Sequence, residues 1–281
     1  MYRFSYKNLT VDSISVGGIE TCYVLPHYKV AFDAGKCPEP LIDIPNLFLT
    51  HGHLDHAAGV PYFLSQRSLR NLGPAHIYVP EGLQAPLQKI LKLWQEIENF
   101  EYPVKIEPLA WHERVEIRKD HFVQALPSYH RVPSQGYVLL HKVTKLKEDY
   151  VGLPGREIQR LKKEKEIFET KELPQFCFSG DSTIEFVLNN ELAANSRVLF
   201  LECTYIDDKR PVERARKWGH IHLDEIIANA SAFNNEKLVL VHFSRRYGPR
   251  AIREILAEKL PDSLKDRVEI LFARKKPVTT A

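Results

Sequence analysis

The order of apolar and polar positions divides the chain into two kinds of segment. Apolar runs at Leu9–Val16, 21–25, Val30–Phe32 and 46–49 predict strands, with turn signals at Gly17-Gly18, Pro26, Gly35 and Pro45 between them. An antiparallel meander is their simplest arrangement. Residues 58–72 predict a helix and 77–79 a further strand. Leu83, Leu87, Ile90, Leu91, Trp94 and Ile97 recur at helical spacing, which predicts a long helix over 83–99 with Pro86 in its first turn. More strands are expected at Val104–Pro108, 115–118, 122–126 and 137–140. After a charged stretch over 142–175, strands at 176–178, 198–201 and 238–241 alternate with helices near 224–233 and Pro249–Lys259. The pattern is α/β: two sheets packed together with helices outside them. No linker and no internal repeat divides the chain, so residues 1–281 are expected to form a single domain.

Composition narrows the function. At 44% hydrophobic residues the chain can bury a core, so wholesale disorder is excluded. A net charge of +3 excludes a strongly basic or strongly acidic polymer-like protein, but not a local basic patch. No apolar run approaches the ~18 residues of a membrane span, and residues 1–10 lack a signal peptide's apolar stretch. Cys22, Cys37, Cys177 and Cys203 form no close pair, so a reducing cytoplasm is expected, with an organelle or the nucleus left open. Twelve histidines are the unusual count.

Three of them lie in Thr50-His51-Gly52-His53-Leu54-Asp55-His56, directly after an apolar strand run. A loop at a strand end displays functional groups. Imidazole and carboxylate are donors that Zn²⁺ and related ions prefer. His51 and His53 can face one ion from an extended backbone, and Asp55 and His56 can reach a second. Two metals need more donors than these four side chains supply. His130, Asp181 and His242 each follow or end a strand run, so one rim can gather them all.

The cluster His51-x-His53-x-Asp55-His56, followed by His130, Asp181 and His242, resembles the signature of the metallo-β-lactamase superfamily. That resemblance implies a four-layer αβ/βα sandwich of two mixed sheets. It also implies two divalent ions, zinc first and Mn²⁺ or Fe²⁺ as alternatives. His51, His53 and His130 would hold one ion, Asp55, His56 and His242 the other, and Asp181 would bridge them. Further motifs are similar to those of the tRNase Z (ribonuclease Z) family: Phe32-Asp33-Ala34-Gly35, Ser134-Gln135-Gly136-Tyr137, Leu201-Glu202-Cys203-Thr204-Tyr205, Gly219-His220-Ile221-His222 and His242-Phe243-Ser244-Arg245-Arg246-Tyr247. This resemblance implies a metal-dependent endoribonuclease that removes the 3′ trailer of precursor tRNA by hydroxide attack on a phosphodiester. Asp55 would orient or deprotonate the water. His220 with Glu202 would protonate the departing 3′-oxygen, with His222 a rival two residues on. Arg246 would contact phosphate, or form a solvated pair with Arg245. Tyr247 would orient a ligand or simply pack. Members of the family are commonly dimers, although the pattern itself does not reveal an oligomeric state.

The interval between His130 and Asp181 is where that family carries an RNA-gripping arm. Residues 142–165 hold eight basic and four acidic side chains, while the remaining chain is within one charge of neutral. Lys162, Lys163 and Lys165 are the expected phosphate contacts, on a short arm at about 142–175. Two positions depart from the family pattern: Lys36-Cys37-Pro38 after Gly35, and Leu201 before Glu202. A metallo-β-lactamase-fold hydrolase of a small phosphodiester or ester is the alternative, since one fold hosts many chemistries. A third reading is a non-catalytic RNA-binding protein with a structural metal site.

Overall fold

A computed structural model describes residues 1–271; residues 272–281, part of the single domain expected from the sequence, lie outside the described residues. The first sheet runs in chain order through β1 (Tyr2–Tyr6), β2 (Leu9–Val16), β3 (Glu20–Leu25), β4 (Val30–Phe32), β5 (Asn46–Phe48), β6 (Ala75–Val79) and β7 (Val104–Pro108). Its pairs are antiparallel up to β4 and parallel from β4 to β7. The second sheet repeats the plan with β8 (Arg114–Arg118), β9 (His121–Pro127), β10 (Gln135–Leu146), β11 (Phe168–Phe178), β12 (Val198–Glu202), β13 (Lys237–Val241) and β14 (Val268–Ile270). It is antiparallel from β8 to β11 and parallel from β11 to β14.

Strand periodicity explains the layers. In β4 and β5, Phe32 and Phe48 face the other sheet, whereas Ala31 and Leu47 face the outer helices. In β12, Val198 and Phe200 point inward and Leu199 and Leu201 outward. The space between the sheets is rich in aromatic rings, with Phe32 and Phe176 at 5.6 Å and Tyr23 edge-on to Phe200 at 5.3 Å. Truncating such a buried ring to alanine costs about 3–5 kcal/mol. Outside the first sheet lie α1 (Leu54–Ala57), α2 (Val60–Leu69) and α3 (Gln84–Glu98). The expected four-layer α/β sandwich is present.

Several local expectations change. The run at 46–49 does not complete an antiparallel meander, because residues 33–45 cross over through a helical turn at Glu39–Ile42 and bring β5 parallel to β4. A parallel partner requires such a crossover, and apolar runs carry no sign of strand direction. The edge strand β1 is unexpected; most of its residues are exposed, so it lacks a strong apolar pattern. The helix expected over 58–72 is α2 alone; the short α1 before it is unexpected, and Gly59 separates the two where a Cβ would meet the Ala34 carbonyl at 2.6 Å.

The charged stretch is an extension of the β10–β11 pair. Residues 135–140 of β10 are buried, and the strand then continues to Leu146 with half-buried and exposed side chains, paired to Phe168 of β11. Helix α4 (Gly155–Glu164) lies beyond the ribbon and buries no residue. From Tyr137, near the core, to Leu146 the ribbon spans roughly 30 Å at ~3.4 Å per residue.

Candidate metal centre

The strand ends of both sheets meet at one rim. The loop after β5 carries His51, His53, Asp55 and His56, with Asp55 and His56 on α1. His130 follows β9, Asp181 follows β11, and His242 directly follows β13. Two glycines allow these loops to close together. Gly180 (φ +60°) would place a Cβ 2.7 Å from Thr50, and Gly219 (φ +72°) would place one 2.7 Å from His130 Nδ1. His242 itself adopts φ 59°, a left-handed conformation uncommon for a residue with a Cβ.

The candidate donors form two groups. His51, His53, His130 and Asp181 converge, with His51 Nε2 3.0 Å from His53 Nδ1 and His130 Nε2 3.2 Å from that same atom. Asp55, His56 and His242 converge, with His56 Nε2 3.3 Å from His242 Nε2 and His242 Nε2 3.4 Å from Asp55 Oδ2. Asp181 spans both groups: one oxygen lies 3.7 Å from His51 Nε2 and the other 3.4 Å from His56 Nε2. His220 joins Asp181 and His242 in a third convergence, so donor geometry alone allows it as a further ligand.

A layer of acceptors behind the imidazoles sets which nitrogen faces inward. Asp33, fully buried at the end of β4, accepts from His56 Nδ1 at 2.7 Å and from the Thr50 amide and hydroxyl. The Thr50 hydroxyl in turn accepts from His51 Nδ1 at 3.0 Å. Glu202, fully buried at the end of β12, accepts from His220 Nδ1 at 2.8 Å and from the Thr204 hydroxyl at 2.7 Å. That hydroxyl accepts from His242 Nδ1 at 3.1 Å. The Gly219 carbonyl accepts from His130 Nδ1 at 2.7 Å. His51, His56, His130 and His242 are therefore turned to offer Nε2 and its unshared pair to the centre, as outer partners do for metal-binding histidines, and His220 turns its Nε2 the same way. Asp181 Oδ1, although buried, has no hydrogen-bond partner. Convergent unshared pairs around an unpartnered carboxylate oxygen fit divalent cations.

Charge follows the same geometry. Burial depresses His51 well below its ordinary range. Burial opposes ionisation of Asp55, yet the His242 hydrogen bond and the His56 charge hold it at about 2. Burial alone would lower His220, but the Glu202 carboxylate overcomes it and pushes the imidazole up to about 9.

The rivals separate cleanly. His222 is fully buried and caps α5 (Leu223–Ala228): its ring accepts from the Asp224 amide, and Glu225 answers to its backbone. Tyr247 donates to Asp207 at 3.0 Å and packs against the core. Arg246 and Arg245 are exposed on the loop after His242. Lys162, Lys163 and Lys165 lie at the end of α4, away from the centre along the ribbon. Sequence reasoning assigned no role to Asp33, Thr50 or Thr204. The signal was present in Phe32-Asp33-Ala34-Gly35 and in the threonine that precedes or follows each cluster.

This fold and this rim of donors define a metallo-β-lactamase-fold protein, and residues 34–243 match the family model described as a Beta-lactamase superfamily domain. The chain is 38% identical over 251 residues to tRNase Z TRZ2, chloroplastic, of Arabidopsis thaliana, covering 88% of this chain and 71% of that one. It is 37% identical over 261 residues to tRNase Z TRZ1 of the same plant, covering 92% and 93%. The crystal structure of the short form of human tRNase Z (ELAC1) has the same fold, with a TM-score of 0.63 at 19% identity over 93% of this chain and 96% of that one. The chain belongs to the tRNase Z (ribonuclease Z) family.

Proposed function

We propose that the protein is a metal-dependent endoribonuclease that removes the 3′ trailer of precursor tRNA. The observation that carries this reading is the rim itself: seven convergent donors beside a part-buried His220 held on the buried Glu202. His51, His53 and His130 would hold one ion, Asp55, His56 and His242 a second, with Asp181 shared between them. When bound, two divalent ions supply polarisation of the phosphodiester and an activated water. Zinc suits this nitrogen and oxygen set first, and Mn²⁺ or Fe²⁺ accept the same donors.

The chain's own groups supply the proton transfers. Asp55, partly open to solvent and held ionised, also accepts from the Gly18 amide at 2.8 Å, which fixes the carboxylate's orientation. It is placed to take a proton from the attacking water. His220 is tethered through Nδ1 to Glu202, so its Nε2–H is free to protonate the departing 3′-oxygen. Arg246, exposed on the loop after His242, suits a phosphate of the flanking chain.

The short arm favours a folded RNA over a small phosphodiester. Lys162, Lys163 and Lys165 and the metal loop stand at opposite ends of a ribbon roughly 30 Å long, a span that only a large, rigid polyanion bridges. The four buried, free cysteines support a reducing compartment such as the cytoplasm, and no described helix is long and apolar enough to cross a membrane. Exposed Ile90, Leu93, Trp94 and Ile97 on α3 offer a face for a second copy of the chain, testable by sedimentation. The direct test of activity is incubation with a 3′-extended precursor tRNA. A discrete cut at the trailer junction that a chelator abolishes supports the reading; no cut under metal-replete conditions overturns it.

A further inference from the structure

A cleft of about 410 Å³ opens beside the metal loops, lined by Pro80, Glu81, Leu109, Trp111, Pro133 and Ser134 among others. Trp111 is 51% exposed, yet its indole N–H donates to the Ser134 carbonyl at 3.3 Å, which holds the ring at the cleft wall. Ser134 is 7% exposed, and its hydroxyl has no hydrogen-bond partner. A buried hydroxyl without a partner is costly unless a ligand or water completes it. Glu81 is exposed, and among the described residues its carboxylate has no ion pair or hydrogen bond. The cleft is tied to the metal centre twice. The Gln135 amide donates to the carbonyl of Thr50, the residue before His51, at 3.0 Å. Pro133 lies three residues past His130, at most about 11 Å along the chain.

We infer that this cleft is a nucleobase subsite for the RNA flanking the cut, and that it takes an amino-bearing base in preference to uracil. The indole and the prolines Pro80 and Pro133 offer flat, apolar faces for a base. The Glu81 carboxylate only accepts hydrogen bonds, so it favours the exocyclic amines of cytosine, adenine or guanine. Uracil has no exocyclic amine, and its one edge donor, N3–H, is flanked by the O4 and O2 acceptors, which would be set against that carboxylate. The Ser134 hydroxyl can donate or accept and completes the edge recognition. The inference rests on the RNA-cleaving reading above.

The test is calorimetric titration of the zinc-loaded enzyme with CMP and UMP, in which the shared phosphate cancels. Wild type is expected to bind CMP about 10-fold more tightly than UMP. Glu81→Gln should erase that preference. Trp111→Ala should weaken both nucleotides by about 5- to 150-fold, and Trp111→Phe should restore most of the loss. On a precursor tRNA with cytosine at the flanking position, Trp111→Ala should lower the kcat/KM ratio between that substrate and bis(p-nitrophenyl) phosphate. Equal wild-type affinities for CMP and UMP, or CMP binding by Trp111→Ala at the wild-type level, would overturn the subsite. Should wild type cleave no precursor tRNA, the RNA-cleaving reading falls, and the mononucleotide titration still decides the subsite on its own.

Discussion

The two halves of the molecule build their share of the centre in the same way and, in the proposed function, use it differently. In the first half, a buried carboxylate at the end of β4, Asp33, tethers His56 directly and His51 through the Thr50 hydroxyl. In the second, a buried carboxylate at the end of β12, Glu202, tethers His220 directly and His242 through the Thr204 hydroxyl. Both imidazoles of the first half are needed as proposed ligands. In the second half, His130 and Asp181 would already serve the shared set, which would leave one tethered imidazole, His220, for the proposed proton transfer. A repeated support of carboxylate, threonine and histidine would thus serve both a proposed metal ligand and a proposed acid.

The sharpest break of this comparison is at the seam. Asp55→Ala or Asp181→Ala should lower kcat by about 10³-fold or more, with less metal bound per chain in elemental analysis. Next, His220→Ala should lose about 10²- to 10³-fold on precursor tRNA while retaining its metal. Asp33→Asn should instead weaken metal affinity by about 10- to 100-fold, measured by competition with a chromogenic chelator. The smallest effect concerns binding at a distance. Replacing Lys162, Lys163 and Lys165 by alanine should raise KM for precursor tRNA and flatten its log–log salt dependence by about one unit per lost phosphate contact. Cleavage of bis(p-nitrophenyl) phosphate by that variant should match wild type.

How much was legible in the sequence depended on how local each signal was. The long helix was readable because Leu87 and Leu91 repeat on one face, and Gln84–Glu98 forms as the spacing predicts. The donor rim was readable because four donors crowd into six residues and each remaining one sits at a strand end. Strand direction was not readable: the parallel turn from β4 to β5 depends on tertiary packing of the crossover. The extended β10–β11 ribbon was hidden because its outer residues, from His141 on, alternate without a buried face. The choice between His220 and His222 rested on resemblance alone. The difference is geometric, with one ring on Glu202 and the other capping α5.

The central claim is that the second half carries a spare imidazole that acts on the leaving group and not on the metal. It is tested most directly by measuring kcat for His220→Ala on two substrates, with metal content determined on the same samples. Precursor tRNA needs its leaving 3′-oxygen protonated, whereas bis(p-nitrophenyl) phosphate releases a nitrophenolate that does not. The account predicts full metal content, a loss of about 10²-fold or more on the RNA and little loss on the nitrophenyl ester. Equal losses on both substrates, or a depleted metal site, would contradict it and make His220 a ligand.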